Sequence, residues 1–216
     1  MQPMIATAGP LATADADGIC QSQTPSAGNL TINGALATSG VATMDNPRRV
    51  LITTGADESS RTFTIYGTNW SGNTISETMT GPVTTTGQSV LDYKTVTRIA
   101  ISGNAAAALT VGTSGVGGSQ WVRFDGWSTG GAAIQLTVSG TVNYTLQQTM
   151  DDPNSAFASI TPSSMTWVDC SDSSVAAATA TAQTNYLFPP MFARIKINSG
   201  TGTVTGTFVQ SGVTNL

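Results

Sequence analysis

Apolar and polar residues alternate with period two along most of this chain, beginning at Asn29. Leu30-Thr31-Ile32-Asn33-Gly34 alternates and ends in an Asn-Gly turn signal. Arg48-Arg49-Val50-Leu51-Ile52-Thr53-Thr54 is a β-branched run that stops before Gly55. Along residues 61–67, alternation puts Phe63 and Ile65 on one face and Thr62, Thr64 and Tyr66 on the other. Trp70-Ser71-Gly72-Asn73 has turn composition, residues 74–79 return as a strand, and Gly81-Pro82 stops it. Residues 93–96, 98–101 and 108–111 complete the first half.

A glycine-rich stretch, residues 112–118, then interrupts the pattern and has the composition of a linker. Strands are predicted beyond it at 121–124, 133–138, 142–147, 165–168, 193–198 and 202–210, with 174–183 as a loop. Arg98-Ile99-Ala100-Ile101 and Arg194-Ile195-Lys196-Ile197 echo each other, each predicted to close a hairpin at the end of a half. No segment of the first half carries the 3.6-residue period of an amphipathic helix, and the Ala- and Thr-rich 174–183 favours a loop over a helical turn. The pattern predicts an all-β chain of two tandem antiparallel β-sandwich domains, Ig-like or jelly-roll-like, at 28–113 and 119–216. Residues 1–27 lack periodicity and are predicted to be an extended N-terminal arm, either disordered or ordering on a neighbour.

Composition narrows the function. Only 9% of the 216 residues are charged, against roughly 25% in an average soluble domain. The net charge of -4 leaves little repulsion to oppose association, so much of the surface is expected to be covered by neighbouring subunits. Abundant Val, Ile and Thr with four Trp and six Phe argue for folded cores. No stretch reaches the roughly 20 apolar residues of a membrane helix, so no membrane partner is expected. Met1-Gln2-Pro3-Met4 lacks a basic or apolar leader pattern, and the chain reads as a complete product made in a cytosol. Cys20 and Cys170 are then expected to be reduced and buried, with a disulfide between them left open.

The chemistry expected is correspondingly small. The chain has no His, which removes Ser-His and Cys-His pairs and the commonest zinc ligand. Neither a P-loop nor a dinucleotide fingerprint is present, so no cofactor is expected and the chain is read as no enzyme. Asp151 and Asp152 in Asp-Asp-Pro-Asn, and Asp169 near Asp172, have turn composition, with a cation site as the alternative. The eight Lys and Arg are scattered, so nucleic acid is not an expected partner. Trp121 and Trp167 suit core positions on strands. Trp70 and Trp127 sit in turn-like contexts and, with the adjacent Arg48 and Arg49, are candidate partner or glycan contacts.

The run from Gly28 to Ala35, through Arg48–Thr53 and Phe63–Asn69 to Gly72–Thr78, resembles small virion proteins of tailed bacteriophages. Val142-Asn143-Tyr144-Thr145 and residues 194–210 look similar to companion segments of such proteins, so the resemblance spans most of 28–210. It implies a virion structural protein made in the bacterial cytoplasm, first a capsid decoration or cement protein, alternatively a neck or tail component. It further implies a homo-oligomer, in the form of a trimer, with the major capsid protein as partner. The rival from another class is a glycan- or receptor-binding β-sandwich module.

Overall fold

The computed structural model describes residues 3–126, 130–157 and 159–210. Among the described residues the chain is all-β, with antiparallel strands and one 3₁₀ turn, and it forms two compact units. One is split in sequence, Met1–Leu11 with Gly118–Leu216; the other, Ala12–Gly117, is inserted in it. Among the described residues no helix is long and apolar enough to cross a membrane.

The split unit begins with β1 (Met4–Ala8). The inserted unit follows with β2 (Cys20–Gln23), β3 (Gly28–Asn29), β4 (Ala37–Thr38), β5 (Val41–Thr54) and β6 (Thr62–Thr68). It continues with β7 (Thr74–Thr80), β8 (Thr86–Gln88), β9 (Tyr93–Ile101) and β10 (Leu109–Gly118). The split unit resumes with β11 (Val122–Arg123), β12 (Ala132–Ser139), β13 (Val142–Thr149) and β14 (Val168–Asp169). It ends with β15 (Ala182–Tyr186), β16 (Phe192–Gly200) and β17 (Thr203–Gln210).

In the inserted unit the strands run β10-β5-β9-β6-β7, with short β2, β3, β4 and β8 added at β10, β9 and β5. Alternation sends Phe63, Ile65, Ile99, Ile101, Val50 and Ile52 into one core. In the split unit β1-β17-β12-β15 form one sheet, and β14-β13-β16 lie side by side with β11 on β16. Their inward faces meet in a second core around Ile134, Leu136, Tyr144, Leu146, Ile195 and Phe208.

The predicted N-terminal arm is built into these units instead. Met4–Ala8 pairs with Phe208–Val204, and Ala6, Ala8 and Leu11 are buried. Ile19 and Cys20 are core residues of the inserted unit. Small side chains and the spacing Ala6, Ala8 let this segment lie flat on β17, a fit that has no local signature. The glycine-rich stretch is a strand, and the boundary between the two units falls within it, between Gly117 and Gly118. Gly112 has no Cβ because Asp15 and Ala16 main chain crosses there, tied by Thr113 N–H to the Asp15 carbonyl at 2.8 Å.

Residues 30–33 are not a ladder strand. The Gln23 side chain takes the partner's place, accepting from Thr31 N–H at 3.0 Å and donating to its carbonyl at 2.9 Å. Each Arg-Ile-x-Ile segment lies on a core strand of its own unit, yet neither closes a hairpin: β9 pairs with β5 and β6, and β16 and β17 lie in different sheets. Residues 173–175 form the 3₁₀ turn, and Ala182–Tyr186 is an edge strand whose polar Gln183 and Asn185 mask its period.

Cys20 and Cys170 are free and buried, each in its own unit. Burial pushes the Cys20 thiol up to about 12.

Candidate functional site

Arg48 and Arg49 alternate across β5, as the pattern predicts, but this takes Arg48 out of reach of a partner. Its side chain is 2% exposed. The β5–β10 register shifts between Thr113 and Gly117, next to Pro47, which has no N–H for the ladder. The irregularity leaves the Ser114 carbonyl to Arg48, whose Nε and second terminal nitrogen donate to it at 3.1 and 2.5 Å. A third guanidinium nitrogen pairs with Asp45 at 3.3 Å. Arg48 is thus a structural residue and not a contact residue. Arg49 lies against Asp92 at 3.5 Å and is largely covered.

Asp45 also accepts from Ala12 N–H at 2.6 Å, fastening the start of the inserted unit to β5. Burial pushes its carboxyl up, but the N–H groups of Ala12 and Asn46 and the Arg48 guanidinium together hold it below the ordinary carboxylate value. Because the folded value is the lower one, this contribution is full above the unfolded pKa of about 3.9 and is lost as pH falls through the folded value. Asp45→Asn is therefore expected to destabilise the protein at pH 6 and to converge with wild type in strong acid. Urea melts across that range measure it; a gap that stays constant with pH contradicts it.

Trp70 is half-buried in a turn built by Asn69, whose side-chain oxygen accepts from Ser71 and Asn73 N–H, both at 3.0 Å. Trp127 lies outside the described residues. Trp121 and Trp167 are not core residues. They pack on each other with ring centroids 5.3 Å apart, and the Arg194 guanidinium sits 4.3 Å from the Trp167 ring. Arg194 donates to Gln147, and Gln147 to Asp169 at 2.8 Å. Of the four candidate contacts, Arg48, Arg49 and Trp70 are described, and nothing in the geometry brings these three together.

The carboxylates are held in local structure. Asp151 accepts from Thr166 N–H at 2.6 Å and closes the 150–167 loop. Asp152 accepts from Asn154 N–H at 2.9 Å and pairs with Arg123 at 3.0 Å. Asp172 sits below the ordinary carboxylate value because Thr184 and Ser174 hydrogen bond to it. Among the described residues no group of three His, Cys, Asp or Glu is placed to hold a metal ion.

The surface that stands out was not among the predicted residues. At one end of the split unit three connections leave together. β13 ends at Thr149 opposite Phe192, the first residue of β16, and β12 begins at Ala132 opposite Tyr186 and Gln210. The described parts of the 124–131 and 150–167 loops and residues 187–191 therefore share this end. Met191 N–H bonds to the Thr149 carbonyl, Phe124 N–H to the Met191 carbonyl, and the Gln210 side chain clasps Asp125 main chain in both directions. The loops display Met150, Phe157, Leu187 and Phe188 at 66, 100, 74 and 81% exposure. A shallow groove of about 430 Å³ adjoins them, lined by Ala133, Asn185, Leu187 and Val209 among others.

Two segments of this end carry no charge: no Asp, Glu, Lys or Arg occurs in 153–168 or 183–193, while Asp125, Asp151 and Asp152 lie in the same loops. Each exposed side chain offers about 1.5–3 kcal/mol on full burial, a gain available only when another apolar surface covers it. The available sequence signal was Leu187-Phe188 directly before Pro189-Pro190: large apolar residues where prolines forbid a ladder.

No protein-family model matches the sequence, and no curated protein matches it.

Proposed function

We propose that this chain is a non-catalytic structural subunit of a tailed-bacteriophage virion, with each unit a β-sandwich. It works as a capsid decoration or cement protein, docking the loop end of the split unit on a neighbouring virion protein, foremost the major capsid protein. Four large apolar side chains exposed on the loop end, beside the uncharged segments 153–168 and 183–193, carry this reading. Such a surface suits a partner that is itself apolar and flat. A neck or tail position would use the same chemistry on a different neighbour.

Phe188→Asp combined with Leu187→Asp is expected to melt like wild type, because both residues are exposed. It should be depleted at least about tenfold from purified particles, since two desolvated charges at an interface cost more than the roughly 1.4 kcal/mol per decade. Gel quantification of particles assembled with each chain is the measurement. Equal incorporation removes the loop end as the docking surface. Glycan-array binding that disappears in Trp70→Ala would replace the scaffold reading with the glycan-binding one.

A further inference from the structure

On the sheet face turned away from the split unit's core, one row of side chains crosses four strands. Asp169 of β14 stands opposite Gln147 of β13, and Gln147 opposite Arg194 of β16. The β11 register sets Val122 against Ala193 and Arg123 against Phe192, so one residue earlier Trp121 comes level with Arg194. Residues directly opposite each other share a face. Leu146 and Ile195, the chain neighbours of Gln147 and Arg194, point the other way into the core. Gln147 and Arg194 are nonetheless only 6% exposed each. The Trp167 ring lies over the Arg194 guanidinium, with Trp121 packed against it.

The result is an aromatic platform with a polar rim. Both indoles are partly exposed, and neither belongs to a core cluster. Gln147 fixes Arg194 and Asp169 fixes Gln147, so Trp167 rests on a cation held in place by a chain of hydrogen bonds. Asp169 is itself exposed at the end of the row. In the adjoining row Arg123 lies over Phe192, whose ring meets Trp121 edge-on at 6.2 Å. Arg123 pairs with Asp152 while its own side chain stays 55% exposed. The negative face of an indole attracts C–H groups of partial positive charge, and carboxylate and guanidinium bond hydroxyls. A pyranose ring presents both, C–H bonds on its flat face and hydroxyls around its edge. A proline-rich peptide would leave the carboxylates without donors, since proline has no N–H. Phosphate and sialylated chains would meet the charges of Asp152 and Asp169. An apolar protein surface would desolvate the rim.

We infer that Trp121 and Trp167, with Asp169 and Arg123 at their rim, form a binding site for a neutral oligosaccharide. The two indoles supply the stacking surface, Asp169 accepts from sugar hydroxyls and Arg123 donates to them. The site does not depend on the proposed docking of the loop end, because its charged rim and the apolar Leu187 and Phe188 suit different ligands. It is also separate from Trp70, which belongs to the inserted unit.

An array of neutral and sialylated oligosaccharides, probed with the full chain, tests it. Wild type is expected to bind neutral members and to leave their sialylated counterparts unbound. Titration with a bound member, followed by tryptophan fluorescence, should show affinity falling at least about tenfold in Asp169→Asn. That variant keeps an accepting oxygen for Gln147, so its melt should be unchanged. Trp167→Ala should abolish binding. Trp70→Ala and the combined Leu187→Asp and Phe188→Asp variant should bind like wild type, which separates failure of this site from failure of the docking surface. An array without signal, equal binding of neutral and sialylated chains, or affinity unchanged in Asp169→Asn overturns the proposal. Binding lost in Trp70→Ala, or a decaproline peptide bound while the array stays empty, overturns it as well.

Discussion

Deleting residues 1–11 is expected to cost the split unit about 3–5 kcal/mol, a large share of the roughly 5–15 kcal/mol that holds a domain together. The segment removes a strand with five register pairs to β17, and it takes Ala6, Ala8 and Leu11, at 1, 0 and 4% exposure, out of the core. It leaves β17 as an open edge, paired with β12 alone. Hydrogen exchange should show lost protection in β12 and β17 while β6 and β9 of the inserted unit keep theirs. Ile5→Thr within the same strand should shift stability by no more than about 0.5 kcal/mol, because Ile5 is 64% exposed. An unchanged melt for the truncated chain would restore the picture of a dispensable arm.

The second large effect is expected at Glu58, a carboxylate with 0% exposure in the inserted unit. It accepts from Ala106 N–H at 2.7 Å and pairs with Arg61 at 3.2 Å, and Arg61 in turn donates to the Asn104 carbonyl. Glu58 therefore ties the turn before β6 to the connection between β9 and β10. Glu58→Ala leaves the Ala106 N–H without its acceptor, removes the ion pair to Arg61 and opens a cavity at a fully buried position, and is expected to cost about 3–5 kcal/mol. Glu58→Gln keeps an accepting oxygen and should cost about 1–3 kcal/mol. Urea midpoints at constant m-value separate the two. Equal losses would mean that the charge contributes nothing beyond the hydrogen bond.

Neither effect is visible in the sequence. Glu58 sits in Ala56-Asp57-Glu58-Ser59-Ser60, a stretch that reads as a solvated turn. Its burial depends on Ala106 and Arg61 arriving from elsewhere. Arg48 teaches the same lesson in reverse. Two adjacent arginines read as a surface pair, yet a register shift frees the Ser114 carbonyl and draws one of them inside.

The period-two pattern by itself determined that this chain is all-β and which face of each regular strand is apolar. Phe63 with Ile65, Ile134 with Leu136, and Ile195 with Ile197 are buried as alternation requires. That much is local, because successive side chains of an extended chain point to opposite sides whatever the partner. Tertiary structure alone decided the rest: that β1 belongs with β17 some two hundred residues later, that the glycine-rich stretch is a strand, and that β7 ends its sheet. It also decided that Leu187 and Phe188 stand in solvent rather than in a core. Strand partners are chosen by long-range hydrogen bonding and packing, which leave no period in the sequence, so which apolar side chains stay exposed emerges only once the sheets are assembled.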